Sequence, residues 1–292
     1  MFDFEKGCLK FILGGKYPHC HTLFVDDRRT ALIDAASRED TLKAIHARRP
    51  VDILIASHGH EDHIMYNYLF PEAEFWVHEA DAHIFLDIEN LLDCYAPTDT
   101  ERAAWRELLV TMCHYEVREA SRLLNDGDIL DFGATHCEVI HTPGHTPGHC
   151  AFHFPQERVL FMADMDLVKG GPYYGDVNSS LEETLASLER LSKIDVDTYL
   201  TAHGPGIYDG DPDYIVQYIR TVEKREAALL EFLSGGPKTL GEVTEKGIIY
   251  GPGRVVSGWD LSTSERSMMG KHLHLLIHQG RVIQEGDLFA LS

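Results

Sequence analysis

Short apolar runs separated by turn residues fill the first two thirds of the chain, a pattern that indicates many short strands. The runs CHTLFVDD and TALIDAA predict a hairpin that turns at residues 26–29. The segment SREDTLKAIHARRP then predicts a helix with Ser37 as its N-cap and Pro50 beyond its end. The next run, VDILIA, predicts a buried strand that ends just before Ser57.

A helical insertion separates two series of predicted strands. EFWVH predicts another strand, and residues 83–124 then predict a mostly helical insertion that contains IENLLDCY and ERAAWRELLVTM. The turn at Asp126 and Gly127 opens the second series, whose runs are DILDFG, HCEVIHT, CAFHF and RVLFMA. A helix with a capping box at Ser180 and Glu183 follows, and VDTYLTAHGPG supplies the last predicted strand and loop of this part.

The pattern changes to helices after residue 211. A long helix ends at residues 235–237, KTLGEVTEKG and STSERSMMGKHLHLLIHQG predict two more helices, and RVIQEGDLFALS predicts a closing hairpin. Three helices followed by a hairpin are typical of a winged helix. We therefore predict a larger domain over residues 1–211 and a small winged-helix-like α+β domain over residues 212–292.

Charge is distributed unevenly between these two parts. The 292 residues carry 26 Lys and Arg against 47 Asp and Glu, a formal net charge of -21 at pH 7. Residues 221–292 hold eight basic and nine acidic side chains, so almost the whole acidic excess lies in the larger part. The acidity disfavours polyanionic partners such as nucleic acid or an anionic membrane surface. Because its last helix has no run of Lys or Arg, the C-terminal part is expected to cap the larger domain or form a dimer surface rather than bind nucleic acid.

The sequence has no features of an exported or membrane-spanning protein. Charges interrupt the apolar residues of MFDFEKGCLKFILGG, unlike those of a signal peptide, and no run approaches the roughly twenty apolar residues of a membrane span. The six cysteines form no C-x-x-C pair and suit free thiols in a reducing compartment. We therefore expect a soluble, cytoplasmic protein.

The segment SHGHEDH, directly after the predicted strand VDILIA, carries the candidate chemistry. His58 and His60 alternate in an extended segment and could converge on one ion, whereas the adjacent Asp62 and His63 point differently and could serve a second ion nearby. Imidazole and carboxylate without a nearby thiolate favour Zn²⁺, with iron or Mn²⁺ as alternatives. Two coordination spheres need more ligands than this segment supplies.

Three later segments contain further candidate ligands. HTPGHTPGH contains His145, LFMADMD contains Asp164 and LTAHGPG contains His203, and each lies just after an apolar, strand-like run. Ligands at strand ends are held in place by a rigid sheet. The sequence therefore predicts a site for two divalent metal ions.

This set of motifs resembles the metallo-β-lactamase superfamily, whose members are hydrolases and oxidoreductases built as a four-layer αββα sandwich. The family pattern His-x-His-x-Asp-His is met at residues 58–63, and the later motifs follow in family order within residues 11–205. The resemblance implies one metal ion on His58, His60 and His145, a second on Asp62, His63 and His203, and Asp164 bridging the two. Asp166 is the alternative bridge, but Asp164 follows its strand directly.

The ligand set favours hydrolysis. Diiron oxygen-reducing relatives usually carry Glu where this chain has His60, so the resemblance implies a hydrolase that uses a metal-bridging hydroxide. Asp62 is the expected catalytic residue, because it could orient the water and later deliver a proton to the leaving group. The acidic domain favours a small ester, thioester or lactone as substrate.

Three alternatives stay open. The C-terminal part resembles the winged helix appended in the lactamase-beta-like group, some of whose members are ribonucleases, and this implies a metal-dependent nuclease acting on single-stranded RNA. The second alternative is an iron-dependent oxidoreductase related to persulfide dioxygenases. The third is a non-enzymatic regulator that binds nucleic acid.

Several residues near the motifs have predicted supporting roles. Asp34 is expected to support the metal-binding loop, and His149 is expected to support the site rather than bind metal. Tyr173 and Tyr174 lie on a Gly-rich loop, where a hydroxyl could stabilise an oxyanion or the rings could line the rim of a substrate pocket. The insertion at residues 83–124 is expected to form either a lid over that pocket or a homodimer surface.

Overall fold

Two large sheets form the centre of the protein, which a computed structural model describes over residues 2–95, 98–256 and 259–292. The first sheet has seven strands in chain order: β1 (Phe4–Lys6), β2 (Leu9–Ile12), β3 (Thr22–Asp26), β4 (Thr30–Ile33), β5 (Ile53–Ile55), β6 (Glu74–His78) and β7 (Arg122–Leu124). Strands β1 to β4 pair antiparallel, whereas β4 to β7 pair in parallel. The predicted hairpin is confirmed, because Asp26 of β3 lies opposite Thr30 of β4.

The second sheet has six strands in the order β13-β12-β11-β10-β9-β8. They are β8 (Ile129–Asp131), β9 (His136–His141), β10 (Cys150–Phe154), β11 (Val159–Phe161), β12 (Thr198–Leu200) and β13 (Ile207–Asp209). Strands β11 and β12 pair in parallel, and the other neighbours pair antiparallel. The sequence prediction ended this part at β12 and missed β13, because three residues are too few to show an alternating pattern.

Helices pack against the apolar faces of the sheets or lie in the insertion after β6. They are α1 (Glu39–Arg48), α2 (Ile88–Tyr95), α3 (Asp99–Thr111) and α4 (Leu181–Leu191). Leu42 of α1 packs in the apolar cluster of the first sheet, and Leu188 of α4 packs on the second sheet. The helical insertion predicted after β6 is confirmed by α2 and α3. The predicted α/β architecture of two sheets flanked by helices is therefore present.

Alternation along the strands explains why the two sheets stack. In β11, Val159 and Phe161 join the core between the sheets, where the ring centroids of Phe161 and Phe11 lie 6.2 Å apart. Leu160 between them joins the separate cluster beneath α4. Successive side chains of a strand point to opposite faces, so apolar residues at every position bury both faces of this sheet.

The start of α1 differs from the prediction. Ser37 is wrong as the N-cap, because Arg38 occupies that position and makes no side-chain capping bond. The Ser37 backbone N–H instead donates to Thr22 Oγ1 at 3.1 Å, and this bond anchors Ser37 beside β3, outside the helix. Ser180 is confirmed as the N-cap of α4, since its hydroxyl accepts the Glu183 N–H, but the predicted capping box is incomplete because the Ser180 N–H donates to the Gly144 carbonyl at 2.7 Å.

The described residues of the C-terminal part form three helices and two small sheets. The helices are α5 (Asp213–Ser234), α6 (Leu240–Lys246) and α7 (Ser262–His278). One sheet contains β14 (Lys238–Thr239), β17 (Val282–Glu285) and β18 (Leu288–Leu291). The other pairs β15 (Val255–Val256) with β16 (Trp259–Asp260). Leu229, Val243 and Leu273 share an apolar cluster that holds these helices together. The three predicted helices and the closing hairpin are confirmed, whereas the winged-helix assignment and the boundary at residue 211 stay predictions. Within the described ranges, no helix combines the length and the apolar character needed to cross a bilayer.

A buried polar cluster joins the C-terminal helices to the loop before α4. Arg225 of α5 donates to the Tyr174 hydroxyl at 2.8 Å, and this hydroxyl lies 2.8 Å from His272 Nε2 in α7. Lys271 Nζ donates to the backbone carbonyls of Tyr174, at 3.0 Å, and of Asp176. Buried polar groups are costly to leave unpaired, so these bonds fix the loop against α5 and α7.

The buried His272 is expected to make the fold sensitive to acid. Burial, and then the charge of Arg225, lowers the pKa of His272 from 6.5 to about 3. Between these pH values the unfolded chain binds a proton at His272 that the folded chain does not bind, so the free energy of unfolding falls as the pH falls. From pH 7 to pH 5, the wild type should lose about 2 kcal/mol more than His272→Gln, which retains an acceptor but does not titrate.

Urea unfolding at the two pH values measures this difference. His274→Gln, on the exposed side of the same helix, should follow the wild type. Parallel losses in the wild type and His272→Gln would rule out His272 as a source of acid sensitivity.

Candidate metal centre

The seven predicted ligands meet in one place. The loop after β5 carries His58, His60, Asp62 and His63; the loop between β9 and β10 carries His145; Asp164 and His203 follow β11 and β12. All except the partly exposed His203 are buried. The strands are buried in the sheets, and the loops that follow them hold these histidines and aspartates in the interior.

The first cluster contains three imidazole rings and one carboxylate. His60 Nδ1 lies 3.0 Å from His58 Nε2 and 2.9 Å from His145 Nε2. Asp164 Oδ2 lies 3.3 Å from His145 Nε2 and 4.0 Å from His58 Nε2. Four potential ligand atoms therefore surround one small volume.

The second cluster lies on the other side of Asp164. His203 Nε2 is 3.3 Å from Asp62 Oδ2, and His63 Nε2 is 3.8 Å from Asp62 Oδ1. Asp164 Oδ1 is 3.0 Å from His63 Nε2 and 3.4 Å from His203 Nε2. The two oxygens of Asp164 thus face one cluster each.

The donor atoms of the two clusters are arranged to bind metal ions rather than to form hydrogen bonds with one another. Asp176 Oδ2 lies 2.7 Å from His60 Nε2 and keeps a proton on that nitrogen, so Nδ1, which faces the other two rings, is the atom that would bind a metal ion. His63 Nε2 and Asp164 Oδ1 are buried and, although they lie 3.0 Å apart, neither makes a well-formed hydrogen bond with the other or with any other described group. Unpaired buried polar atoms are unfavourable, whereas convergent imidazole and carboxylate lone pairs are the ligands that Zn²⁺ and similar divalent ions prefer.

Each of the other histidines in the β5 and β9–β10 loops is held through its second ring nitrogen. The Nδ1 atoms and their partners are His58 with Ser57 Oγ at 2.9 Å, His63 with Asp34 Oδ2 at 2.9 Å, and His145 with the Tyr173 carbonyl at 3.0 Å. Such partners fix the orientation and tautomer of a metal-binding ring. The rings are therefore oriented by the protein itself.

Asp34 and His149 have the supporting positions expected of them. Asp34 Oδ1 accepts the Ser57 N–H at 2.8 Å and Asp34 Oδ2 lies at ion-pair distance from His63 Nδ1, so one side chain contacts both the start of the loop and the ring of His63. His149 Nε2 accepts the Asp164 N–H at 3.2 Å. His149 thereby positions the backbone that carries Asp164.

Asp81 joins two of the loops that carry ligands. Its carboxylate accepts the N–H of Gly59 at 2.9 Å, the hydroxyl of Thr146 at 2.7 Å and the N–H of Gly148 at 2.8 Å. A Cβ at Gly148 would lie 2.5 Å from Asp81 Cγ, so this approach requires glycine. Asp81 was not among the predicted site residues.

The electrostatic field of the two clusters keeps Asp164 anionic. Burial alone would raise the pKa of Asp164, but the surrounding histidines, led by His203 and His63, hold it well below its usual range. Burial and the charge of Asp164 raise the pKa of Asp166 to about 7, and Asp166 Oδ1 accepts the His203 N–H at 3.1 Å. Asp164 therefore lies between the clusters, whereas Asp166 supports a loop.

The sequence profile that describes the Metallo-beta-lactamase superfamily matches residues 18–203, a range that contains all seven residues of the two clusters. The chain belongs to this superfamily.

Named relatives in the superfamily are distant. The chain is 23% identical over 181 residues to the hydroxyacylglutathione hydrolase of Francisella philomiragia, which covers 62% of this chain and 57% of that protein. It is 27% identical over 172 residues to the acyl-coenzyme A thioesterase MBLAC2 of Homo sapiens, covering 56% of each chain. The chain thus spans little more than half the length of these relatives.

Solved structures resemble the whole chain. A metallo-beta-lactamase family protein from Thermus thermophilus has a TM-score of 0.74 at 22% identity, covering 97% of this chain and 98% of that one. A beta-lactamase domain protein from Burkholderia ambifaria has a TM-score of 0.75 at 21% identity, covering 99% and 94%. At these identities the likeness concerns the fold.

In this member of the Metallo-beta-lactamase superfamily, a cavity of about 650 Å³ borders the two clusters. The residues that line it come from the ligand loops, from the insertion and from the C-terminal part: Tyr17, His60, Glu61, Asp62, Tyr95, Glu101, Trp105, His145, Asp164, Tyr173, Gly175, Asp176, Tyr250, Asp260, Leu261, Thr263 and Ser264. A cavity of this size suits a small molecule.

Tyr173 and Tyr174 have different positions. Tyr173 lines the cavity, and its hydroxyl donates to Asp176 Oδ1 at 3.0 Å. Tyr174 is fully buried, bonds to Arg225 and His272, and is not among the described residues that line the cavity. The expectation that Tyr174 contacts substrate is therefore corrected: its side chain turns away from the cavity to join the two parts of the chain.

Sequence reasoning missed Glu61, Asp176 and the bond between Glu61 and Tyr95. The Tyr17 and Tyr95 hydroxyls each donate to one oxygen of Glu61 at 2.7 Å, which ties the ligand loop to α2. Asp176 holds His60 from a loop 116 residues away. No periodicity or motif separates these residues from the other acidic and aromatic residues of the chain.

Proposed function

We propose that the chain is a dinuclear metal-dependent hydrolase that cleaves a small thioester. The observation that carries the proposal is the position of Asp164, with one oxygen toward each donor cluster, at a cavity large enough for a small substrate. Two of the distant relatives are named as a hydroxyacylglutathione hydrolase and an acyl-coenzyme A thioesterase, and both names refer to thioester substrates. They favour a thioester over the ester and lactone alternatives.

The ligand assignment is part of the proposal. We infer that His58, His60 and His145 hold one ion, that Asp62, His63 and His203 hold the other, and that Asp164 contacts both. Histidine and carboxylate ligands favour zinc, with iron and Mn²⁺ as alternatives. When bound, the ions would supply Lewis acidity toward the carbonyl oxygen and a nucleophile from water at neutral pH.

The reaction consumes one water molecule. The water oxygen bonds to the acyl carbon, the carbon–sulfur bond breaks, and the products are a carboxylic acid and a free thiol. Asp62, whose carboxylate lies in the second cluster, is proposed to orient the water and to return a proton to the leaving sulfur. Asp176 keeps the His60 ring in position, and Tyr173 is proposed to contact substrate from the cavity wall.

The C-terminal part is proposed to cap the active site. Tyr250, Asp260, Leu261, Thr263 and Ser264 contribute to the cavity wall. The arrangement of α5, α6, α7 and the β17–β18 hairpin supports a winged-helix-like unit. Because these residues form part of the cavity wall, they support a role for the C-terminal part in enclosing the substrate rather than in binding nucleic acid.

Metal analysis combined with a thioester assay tests the proposal. Protein purified without chelator should contain about two equivalents of zinc and should release thiol from S-acetyl thioesters, and removal of the metal should abolish the release. Coloured, iron-containing protein would favour the oxidoreductase alternative, and metal-dependent cleavage of single-stranded RNA would favour the nuclease. Zinc-loaded protein that hydrolyses no thioester would refute the proposed function.

A further inference from the structure

The cavity wall is strongly acidic. Six of its residues carry carboxylates, namely Glu61, Asp62, Glu101, Asp164, Asp176 and Asp260, and none of the described lining residues is Lys or Arg. Two divalent ions would add four positive charges to these six negative ones, so a net negative charge would remain. A cavity lined by one sign of charge attracts ions of the opposite sign, which here are cations.

Two basic side chains beside the wall, Arg102 and Lys271, are engaged elsewhere. Arg102, one residue after Glu101 in α3, pairs with Glu89 at 2.7 Å and also with Asp93. Lys271 donates to backbone carbonyls of the loop before α4. These ion pairs and hydrogen bonds hold both cationic groups outside the described cavity wall.

Five aromatic side chains form much of the remaining wall: Tyr17, Tyr95, Trp105, Tyr173 and Tyr250. The rings of Tyr95 and Trp105 lie 4.8 Å apart, and the ring of Tyr95 lies 5.5 Å from that of His60. Aromatic rings attract ammonium groups through their quadrupoles, most strongly where water is excluded. Independently of the carboxylates, the rings therefore favour a cation.

Two of the carboxylates are available for this role. Asp62 and Asp164 are proposed ligands, and Glu61 and Asp176 bond to tyrosines or to His60. Glu101 and Asp260 come from α3 and from the C-terminal part, and one oxygen of each caps a helical segment. These two carboxylates of the wall are neither proposed metal ligands nor residues that hold a proposed ligand in place.

We propose that this cavity selects small thioesters that carry an ammonium group over neutral and anionic thioesters of the same size. The inference rests on the proposed thioester hydrolysis and names its substrate class. The same cavity is poorly suited to the phosphate groups of coenzyme A, which require cationic side chains or backbone donors. The cation would contact Trp105 and Tyr95 and be balanced by Glu101 and Asp260.

Three matched substrates test the selection with zinc-loaded protein. S-acetylthiocholine carries the cation, S-(3,3-dimethylbutyl) thioacetate is its neutral isostere, and S-acetyl-3-mercaptopropionate is anionic. We expect kcat/KM for the cation to exceed that for the isostere by about tenfold, with the anion slowest. High salt should reduce the preference. Equal rates, or a preference for the neutral or anionic thioester, would overturn the inference and leave thioester hydrolysis intact.

Variants locate the preference in the wall. Glu101→Gln and Asp260→Asn should each lower the cation-to-neutral ratio by about threefold. Glu107→Gln, which changes an exposed carboxylate of α3, should leave the ratio unchanged. A ratio that is the same in all four proteins would exclude these two carboxylates and overturn the assignment.

A binding measurement separates this inference from the proposed reaction. Calorimetric titration of the zinc-loaded protein with choline chloride and with its neutral isostere 3,3-dimethylbutan-1-ol should show tighter binding of choline, weakened in Glu101→Gln and Asp260→Asn. If no thioester is hydrolysed, the function fails, but the choline titration still decides the charge selection. Failure to bind choline more tightly than the alcohol would overturn it.

Discussion

Asp164→Asn is expected to lose thioesterase activity by on the order of a thousandfold and to retain less metal than the wild type. One oxygen of Asp164 lies 3.3 Å from His145 Nε2, and the other lies 3.0 Å from His63 Nε2. The amide of Asn has nearly the same size but presents an N–H donor toward one of the clusters and carries no charge. A substitution at this position therefore weakens both proposed ion sites together.

Elemental analysis and thiol release from an S-acetyl thioester measure the two effects. Asp195→Asn is a matched control, because the Asp195 side chain is 87% exposed and pairs with Arg158 at the surface. Circular dichroism establishes that each variant is folded. Full metal content and near-normal turnover in Asp164→Asn would refute the bridging assignment.

Asp176→Asn is expected to weaken zinc binding by about 10- to 100-fold while the fold stays intact. Burial alone would lower the pKa of His60, but the Asp176 carboxylate, 2.7 Å from His60 Nε2, raises that pKa to about 9. A carboxylate partner makes an imidazole ring a stronger ligand and fixes its orientation. Asn retains an oxygen acceptor, so it removes the charge with little change in shape.

Competition with a chromophoric chelator measures the zinc affinity of the wild type, Asp176→Asn and Asp195→Asn. The control should match the wild type, and thermal unfolding monitored by circular dichroism should show a folded variant. An affinity within twofold of the wild-type value would mean that the charge of Asp176 is unimportant for the ligand strength of His60.

Local patterns were sufficient to predict much of the fold and the seven donor residues. The runs that became β5, β11 and β12 are short and largely apolar, β9 alternates polar and apolar residues, and each run is followed by polar residues that a sheet core does not accept. Their loops therefore had to leave the sheets near the strand ends. The His-x-His-x-Asp-His pattern and the later motifs then predicted which of those loops carry the candidate ligands.

The errors arose where local patterns compete with contacts to distant segments. Ser37 has the side chain of an N-cap, but its backbone bonds to Thr22 in β3 and so lies before the helix. Strand β13 is defined by pairing with β12 rather than by its own three residues. In both cases the deciding hydrogen bond joins segments that the sequence pattern treats separately.

Tertiary structure alone decided the environment of the metal centre. Tyr173 and Tyr174 are neighbours in an irregular loop with no period that would orient them, and packing against α5 and α7 turns only Tyr173 toward the cavity. Asp176 and His60 are separated by 116 residues, and Asp81 and Gly148 by 67.

The sequence by itself determined the succession of most strands and helices, the types of candidate ligand and the loops that carry them, because these follow from residue spacing and chemistry. The folded chain decided which acidic side chains support the candidate ligands and which line the cavity. Burial and hydrogen bonding set these roles, and both depend on segments that folding brings together from the insertion, the ligand loops and the C-terminal helices.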